Sequence, residues 1–139
     1  MRSISLLIAC TVLASCTSTP QQPGAPMRSP SGERAYQALV AGKVARPPIS
    51  CLPSYNANDM SIIDGRTLGF RVGSGSSTAY LVHLSPGCEM VGGGTYTLLS
   101  RQPGGNGLCR GDIQQVVDLQ NRMTVGSCTI TDVIPLVRP

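Results

Sequence analysis

Two sets of side chains in this sequence have types and spacing that carry chemistry. The first is Leu13-Ala14-Ser15-Cys16, which closes the apolar run Ile4 to Leu13 behind Arg2. A positive start, an apolar stretch and small residues before a cut make an export signal. A cysteine placed immediately after the cut is the acceptor site of a bacterial lipoprotein. Its thiol takes a diacylglycerol and the freed N-terminus a third acyl chain, typically palmitate. The pattern predicts a signal peptide over residues 1–15 and lipidation at Cys16. The second set is Cys51, Cys88, Cys109 and Cys128, an even number left once Cys10 departs with the signal and Cys16 carries lipid. Their spacings of 37, 21 and 19 residues contain no C-x₂-C pair, so disulfides are expected rather than zinc. Bridges fit an oxidising compartment and a small domain with one Phe and no Trp. A bridge closing about twenty residues contributes around 3 kcal/mol in the chain-entropy model. Cys88 and Cys109 flank a single strand and its turns, while Cys51 opens the β region and Cys128 lies in its last strand. The expected pairing is therefore Cys88 with Cys109 and Cys51 with Cys128.

No other set of residues assembles a reaction centre. His83 is the only histidine, and it lies in a strand pattern with no metal-spaced neighbours. A hydrolytic triad needs Ser, His and an orienting acid together, and no nucleophile elbow marks a serine here. Asp59, Asp64, Asp112, Asp118 and Asp132 are dispersed. Asp64 reads as the first residue of a turn before Gly65. The glycine-rich stretches 73–77, 92–94 and 104–107 match no phosphate-binding signature and precede no helix, so they read as turns. Arg110-Gly111-Asp112 spells an adhesion tripeptide, but between a cysteine and a strand it reads as a turn. No catalytic residue, metal ligand or cofactor-binding residue is expected.

The elements that must position these residues follow from periodicity. The chain of 139 residues has a net charge of +4, and loss of Arg2 lowers it to +3. The 124 residues left after residue 15 suffice for one small domain, expected over 31–139 behind a disordered tether over 16–30 rich in Pro, Ser, Thr and Gln. Ser31 to Ala41 predicts a helix, with Ser31 as cap, Glu33 in its first turn, Gly42 as its stop, and Ala35, Tyr36, Leu39 and Val40 on one stripe. Strands are expected over Met60 to Ile63, Thr67 to Val72, Thr78 to Leu84, Thr95 to Ser100, Asp112 to Leu119 and Met123 to Ile134. Asp64-Gly65 predicts a primed hairpin turn between the first two. In the third, Ala79, Leu81 and His83 share one face, and Tyr80, Val82 and Leu84 the other. Six short strands with turns every eight to twelve residues give a mainly β fold, a small antiparallel sandwich or half-open barrel stapled by disulfides.

The segments I-I-D-G-R-T-L-G-F, Y-L-V-H-L-S-P-G-C, L-C-R-G-D and G-S-C-T-I-T-D-V-I-P-L, between Cys51 and Leu136, resemble a family of small exported proteins of Gram-negative bacteria. That family is known only as a domain of unknown function. The resemblance implies one disulfide-linked β domain in the cell envelope and brings no ligand or catalytic residue.

These readings set the functional expectations. The chain is expected to be a lipid-anchored lipoprotein of the cell envelope. With Thr17 after the lipidated cysteine, it is placed on the outer membrane facing the periplasm. Its expected role is a non-enzymatic binding or accessory module whose partners are the membrane, through the anchor, and an unidentified envelope protein. Scattered charge, a single lysine and no Trp argue against nucleic acid. Two other roles stay open: a periplasmic inhibitor of a lysozyme-like enzyme, which a basic net charge disfavours, and a small hydrolase.

Overall fold

The computed structural model describes residues 27–53, 59–72, 78–100 and 107–139. The signal, Cys16 and the tether through residue 26 lie outside the described residues, as do the glycine-rich turns at 73–77 and 104–106. The first element is the helix α1 (Pro30–Val40). Ser29, not Ser31, caps it by accepting the Gly32 N–H at 3.1 Å. Pro30 then takes the first helical position, where a missing N–H costs nothing. The helix therefore starts before the expected Ser31. Arg28 stacks 3.8 Å above the Tyr36 ring and pairs with Glu33 and Asp64. Gly42, at φ +65°, ends the helix as expected.

Seven strands follow among the described residues: β1 (Val44–Ala45), β2 (Met60–Asp64), β3 (Thr67–Arg71), β4 (Thr78–Leu84), β5 (Tyr96–Ser100), β6 (Ile113–Asp118) and β7 (Thr124–Val137). All pair antiparallel in the order β2-β3-β4-β7-β6-β5, with β1 added to β7. The mainly β half-barrel expected from the sequence is what forms. The last strand makes it possible. Its half 130–137 pairs with β4 and its half 124–129 with β6, so one long strand joins two sub-sheets. Register shifts at His83/Leu84 and Val116/Val117 flank the junction, and such bulges bend and twist a strand. The strand continues past the expected end at Ile134 through Pro135, whose carbonyl still accepts the Arg46 N–H at 2.8 Å.

The β2–β3 turn departs from expectation. Neither Gly65 nor Arg66 has a positive φ, so the turn is not of the primed kind. Instead the Asp64 carboxylate accepts the Arg66 N–H at 2.9 Å, and a bulge between Ile62 and Asp64 supplies the twist.

Two cores form on opposite sides of the sheet. Inside the curve, Leu68, Phe70, Tyr80, Val82, Leu84, Val116, Ile130 and Val133 pack with Leu52, Val91 and Leu108. On the outer face, Leu39 of α1 packs with Ala79, Leu81 and Leu136. The alternation read along β4 is thus the alternation between these cores. Gly69 lets the helix sit close, because a Cβ there would lie 2.8 Å from Leu39 Cδ2.

The four cysteines form two bridges, Cys51–Cys109 and Cys88–Cys128. The expected pairing of Cys88 with Cys109 and Cys51 with Cys128 is corrected. Proximity in sequence misled it, since β5 runs to the far edge of the sheet and takes the chain away from Cys88. The chain leaving β4 instead stays beside its ladder partner β7. Ser85 donates to the Thr129 carbonyl at 2.8 Å, and Gly87 (φ +114°) approaches so closely that a Cβ would lie 2.1 Å from the Ser127 carbonyl. Cys88 is thereby delivered to Cys128. Cys51 lies opposite Cys109 in a short antiparallel bridge, held by Leu52 N–H to Leu108 O and Arg110 N–H to Ser50 O, both 2.8 Å.

Candidate ligand cavity

The two end strands of the curved sheet do not pair with each other. Strands β2 and β5 are those ends, and between them lies a cavity of about 260 Å³. Both edge strands line it, Met60 from β2 and Leu98 and Ser100 from β5. The floor is Leu68 and Phe70 of β3, with Gln114 of β6 and Leu108 beside them. Cavities that hold small molecules combine such apolar walls with a few placed polar groups. Here the polar groups among the described lining residues are Ser100 and Gln114.

Gln114 occupies an inward position because its ladder neighbours are Ser100 on β5 and Cys128 on β7. Alternation from the buried Val116 puts it on the core side. It is 2 % exposed. The Ser100 hydroxyl donates to its Oε1, while its Nε2 has no hydrogen-bond partner among the described residues. Leaving a buried donor unpaired costs about 1–3 kcal/mol, so such a group in a native fold calls for an explanation. Nothing in the sequence pattern marks Gln114 for a role.

A second polar group lies outside, at the base of α1. The Asp64 side chain, 4 % exposed, accepts from Arg28 Nε at 3.3 Å. Glu33 accepts from the Gln37 amide and from Arg28, contacts that hold its carboxyl below the usual carboxylate range. Glu89 is lowered likewise by its own and the Gly87 backbone N–H, with help from Arg66. These contacts tie the chain before the helix to the β2–β3 hairpin and the loop after β4. Every charge in the group is paired, and its work is structural.

The residues weighed for chemistry are dispersed. His83 is half-buried on the outer face, level with Thr67 and Asp132 in the ladders, and no hydrogen bond joins its ring to either among the described residues. Asp112 accepts the Cys109 N–H at 2.7 Å in a turn with Gly111 at φ +89°, which accounts for the Arg110-Gly111-Asp112 tripeptide. Asp118 caps the β6–β7 turn, and the Gln120 and Asn121 N–H groups lower its pKa. No group of three or more His, Cys, Asp or Glu with metal-holding geometry occurs among the described residues. No described helix is long and apolar enough to cross a membrane.

No family model, curated protein or solved structure matches the chain. The resemblance of the segments between Cys51 and Leu136 to an exported family therefore rests on those segments alone.

Proposed function

We propose that this protein is a lipid-anchored binding module of the cell envelope that holds a small apolar molecule inside its half-barrel and carries out no reaction. The observation that carries the binding half of the proposal is the cavity between β2 and β5, with its apolar walls and one buried polar pair. The anchoring half rests on Leu13-Ala14-Ser15-Cys16 and on the two disulfides, which belong to oxidising compartments. The outer membrane, facing the periplasm, is its proposed address, and the resemblance to exported Gram-negative proteins agrees with it. The inhibitor and hydrolase readings find no site among the described residues that favours them.

Each half has its own test. Cys16→Ala should move the protein from the membrane to the soluble fraction, and retention of that variant contradicts the anchor. Titrating the full chain with decane should shift the methyl resonances of Leu68 and Leu98 and leave those of Leu39 and Leu136 in place. No shift at Leu68 or Leu98 with decane or with nonan-2-one, a ketone of the same size, contradicts the binding half.

A further inference from the structure

The cavity's size and its polar end restrict what it takes, and on the binding reading above we infer that the ligand is an uncharged aliphatic carbonyl compound of about ten non-hydrogen atoms. Size comes first. An engineered apolar cavity of roughly 150 Å³ accepts benzene, six carbons. In proportion, about 260 Å³ takes roughly ten atoms, a chain shorter than a phospholipid tail. The occupant is therefore a free small molecule and not the acyl chain of a bilayer lipid.

Chemistry comes second. Met60, Leu68, Phe70, Leu98 and Leu108 offer only apolar surface, so most of the ligand is hydrocarbon. At the polar end Ser100 already holds Gln114 Oε1, which leaves the amide nitrogen as the group with hydrogens to give. An amide nitrogen only donates, so the complementary ligand atom is an acceptor. Nε2 is buried and unpartnered on a residue that lines the cavity, and on this proposal the carboxamide turns to give it to a ligand carbonyl at that end. A carboxylate is disfavoured, because no cation is among the described lining residues and a buried unpaired charge is expensive. Ketones, esters and amides on a medium-length chain fit. So does the placement of a glutamine where the alternation of β6 otherwise brings Val116 inward. A polar residue whose nitrogen lacks a protein partner costs stability in the empty protein, and a ligand acceptor returns it.

The probes are nonan-2-one and decane, matched at ten non-hydrogen atoms, with nonanoate as the charged arm. Each is titrated into the full chain in phospholipid nanodiscs and followed by the Leu68 and Leu98 methyl resonances. Partition of each probe into lipid is common to wild type and variants, so the ketone-to-alkane affinity ratio is compared between them. In wild type that ratio is expected to exceed its value in Gln114→Leu by about tenfold, equivalent to about 1.4 kcal/mol. Nonanoate is expected to bind more weakly than nonan-2-one at pH 7. Gln114→Met, unbranched like glutamine, serves as the second variant should Gln114→Leu fold poorly. An unchanged ratio in both variants, or tighter binding of nonanoate, overturns the carbonyl assignment while leaving the cavity reading intact. Absence of methyl shifts with any of the three probes overturns both.

Discussion

The two faces of the β3–β4 pair are finished differently. On the outer face α1 lays Leu39 over Gly69, Ala79 and Leu81, and Leu39 is 1 % exposed. On the inner face β3 contributes Leu68 and Phe70 to walls that stop short of closing. One face is sealed by a helix fitted to it at backbone distance; the other keeps a hollow and a glutamine with an unpartnered nitrogen. A small domain gains most by filling both, and this one fills only the first. The contrast makes the sealed face the source of stability and the hollow face the place for a ligand.

Mutations should separate the two. The largest loss is expected at the bridge within the inner core. Cys88→Ala with Cys128→Ala removes a link across 40 residues, worth roughly 4 kcal/mol in the chain-entropy model, read as a lower midpoint in urea. The sealed face comes next. Leu39→Ala should cost about 3 kcal/mol, within the range for a fully buried leucine, whereas Leu98→Ala on the partly open cavity wall should cost clearly less. Equal costs for these two leucines would erase the distinction between the faces.

The hollow face should respond with the opposite sign. Gln114→Leu combined with Ser100→Ala removes the unpartnered nitrogen together with both ends of the Ser100–Gln114 hydrogen bond, so urea unfolding should show a gain of about 1 kcal/mol. A loss of that size would mean that Nε2 has a partner in solution and that the polar end is structural.

Acid should act outside the cavity. Glu33, Glu89 and Asp118 have pKa values lowered in the folded protein. A lowered carboxylate contributes stability at pH above its unfolded value and loses it as pH falls through the folded one. Stability should therefore decline below about the ordinary glutamate value of 4.5. Glu89→Gln should flatten that decline modestly, its carboxylate being exposed. No described residue lining the cavity is ionisable, so affinity for an uncharged probe should hold steady from pH 5 to 8. The smallest effect belongs to His83→Ala, expected to change stability by less than about 0.5 kcal/mol and probe affinity not at all.

Much of the sealed face was legible in the sequence. The stripe Tyr36, Leu39, Val40 and the alternation along Thr78 to Leu84 are local patterns, and each found the partner its period demanded. Only the helix start slipped, because Ser29-Pro30 is a better opening than Ser31 once Arg28 is anchored on Tyr36 and Asp64. The two-residue β1 was too short to show any period. The hollow face was illegible for a different reason. In Ile113-Gln114-Gln115-Val116-Val117 an apolar residue sits on either face, so alternation alone chooses neither. The choice comes from β7, whose Cys128 faces inward beside Gln114 and is tied to Cys88. That choice turns Ile113 out to 53 % exposure. The disulfide pairing was hidden by the same distance, since it follows a β4–β7 ladder between segments about fifty residues apart.

The most direct measurement is a set of intermolecular nuclear Overhauser effects from nonan-2-one bound to the full chain. Contacts are expected to the methyl groups of Leu68, Leu98 and Leu108, with the carbonyl end nearest the Gln114 side-chain amide. Contacts to Leu39 and Leu136 on the helix side, or none to the three cavity leucines, would contradict this placement.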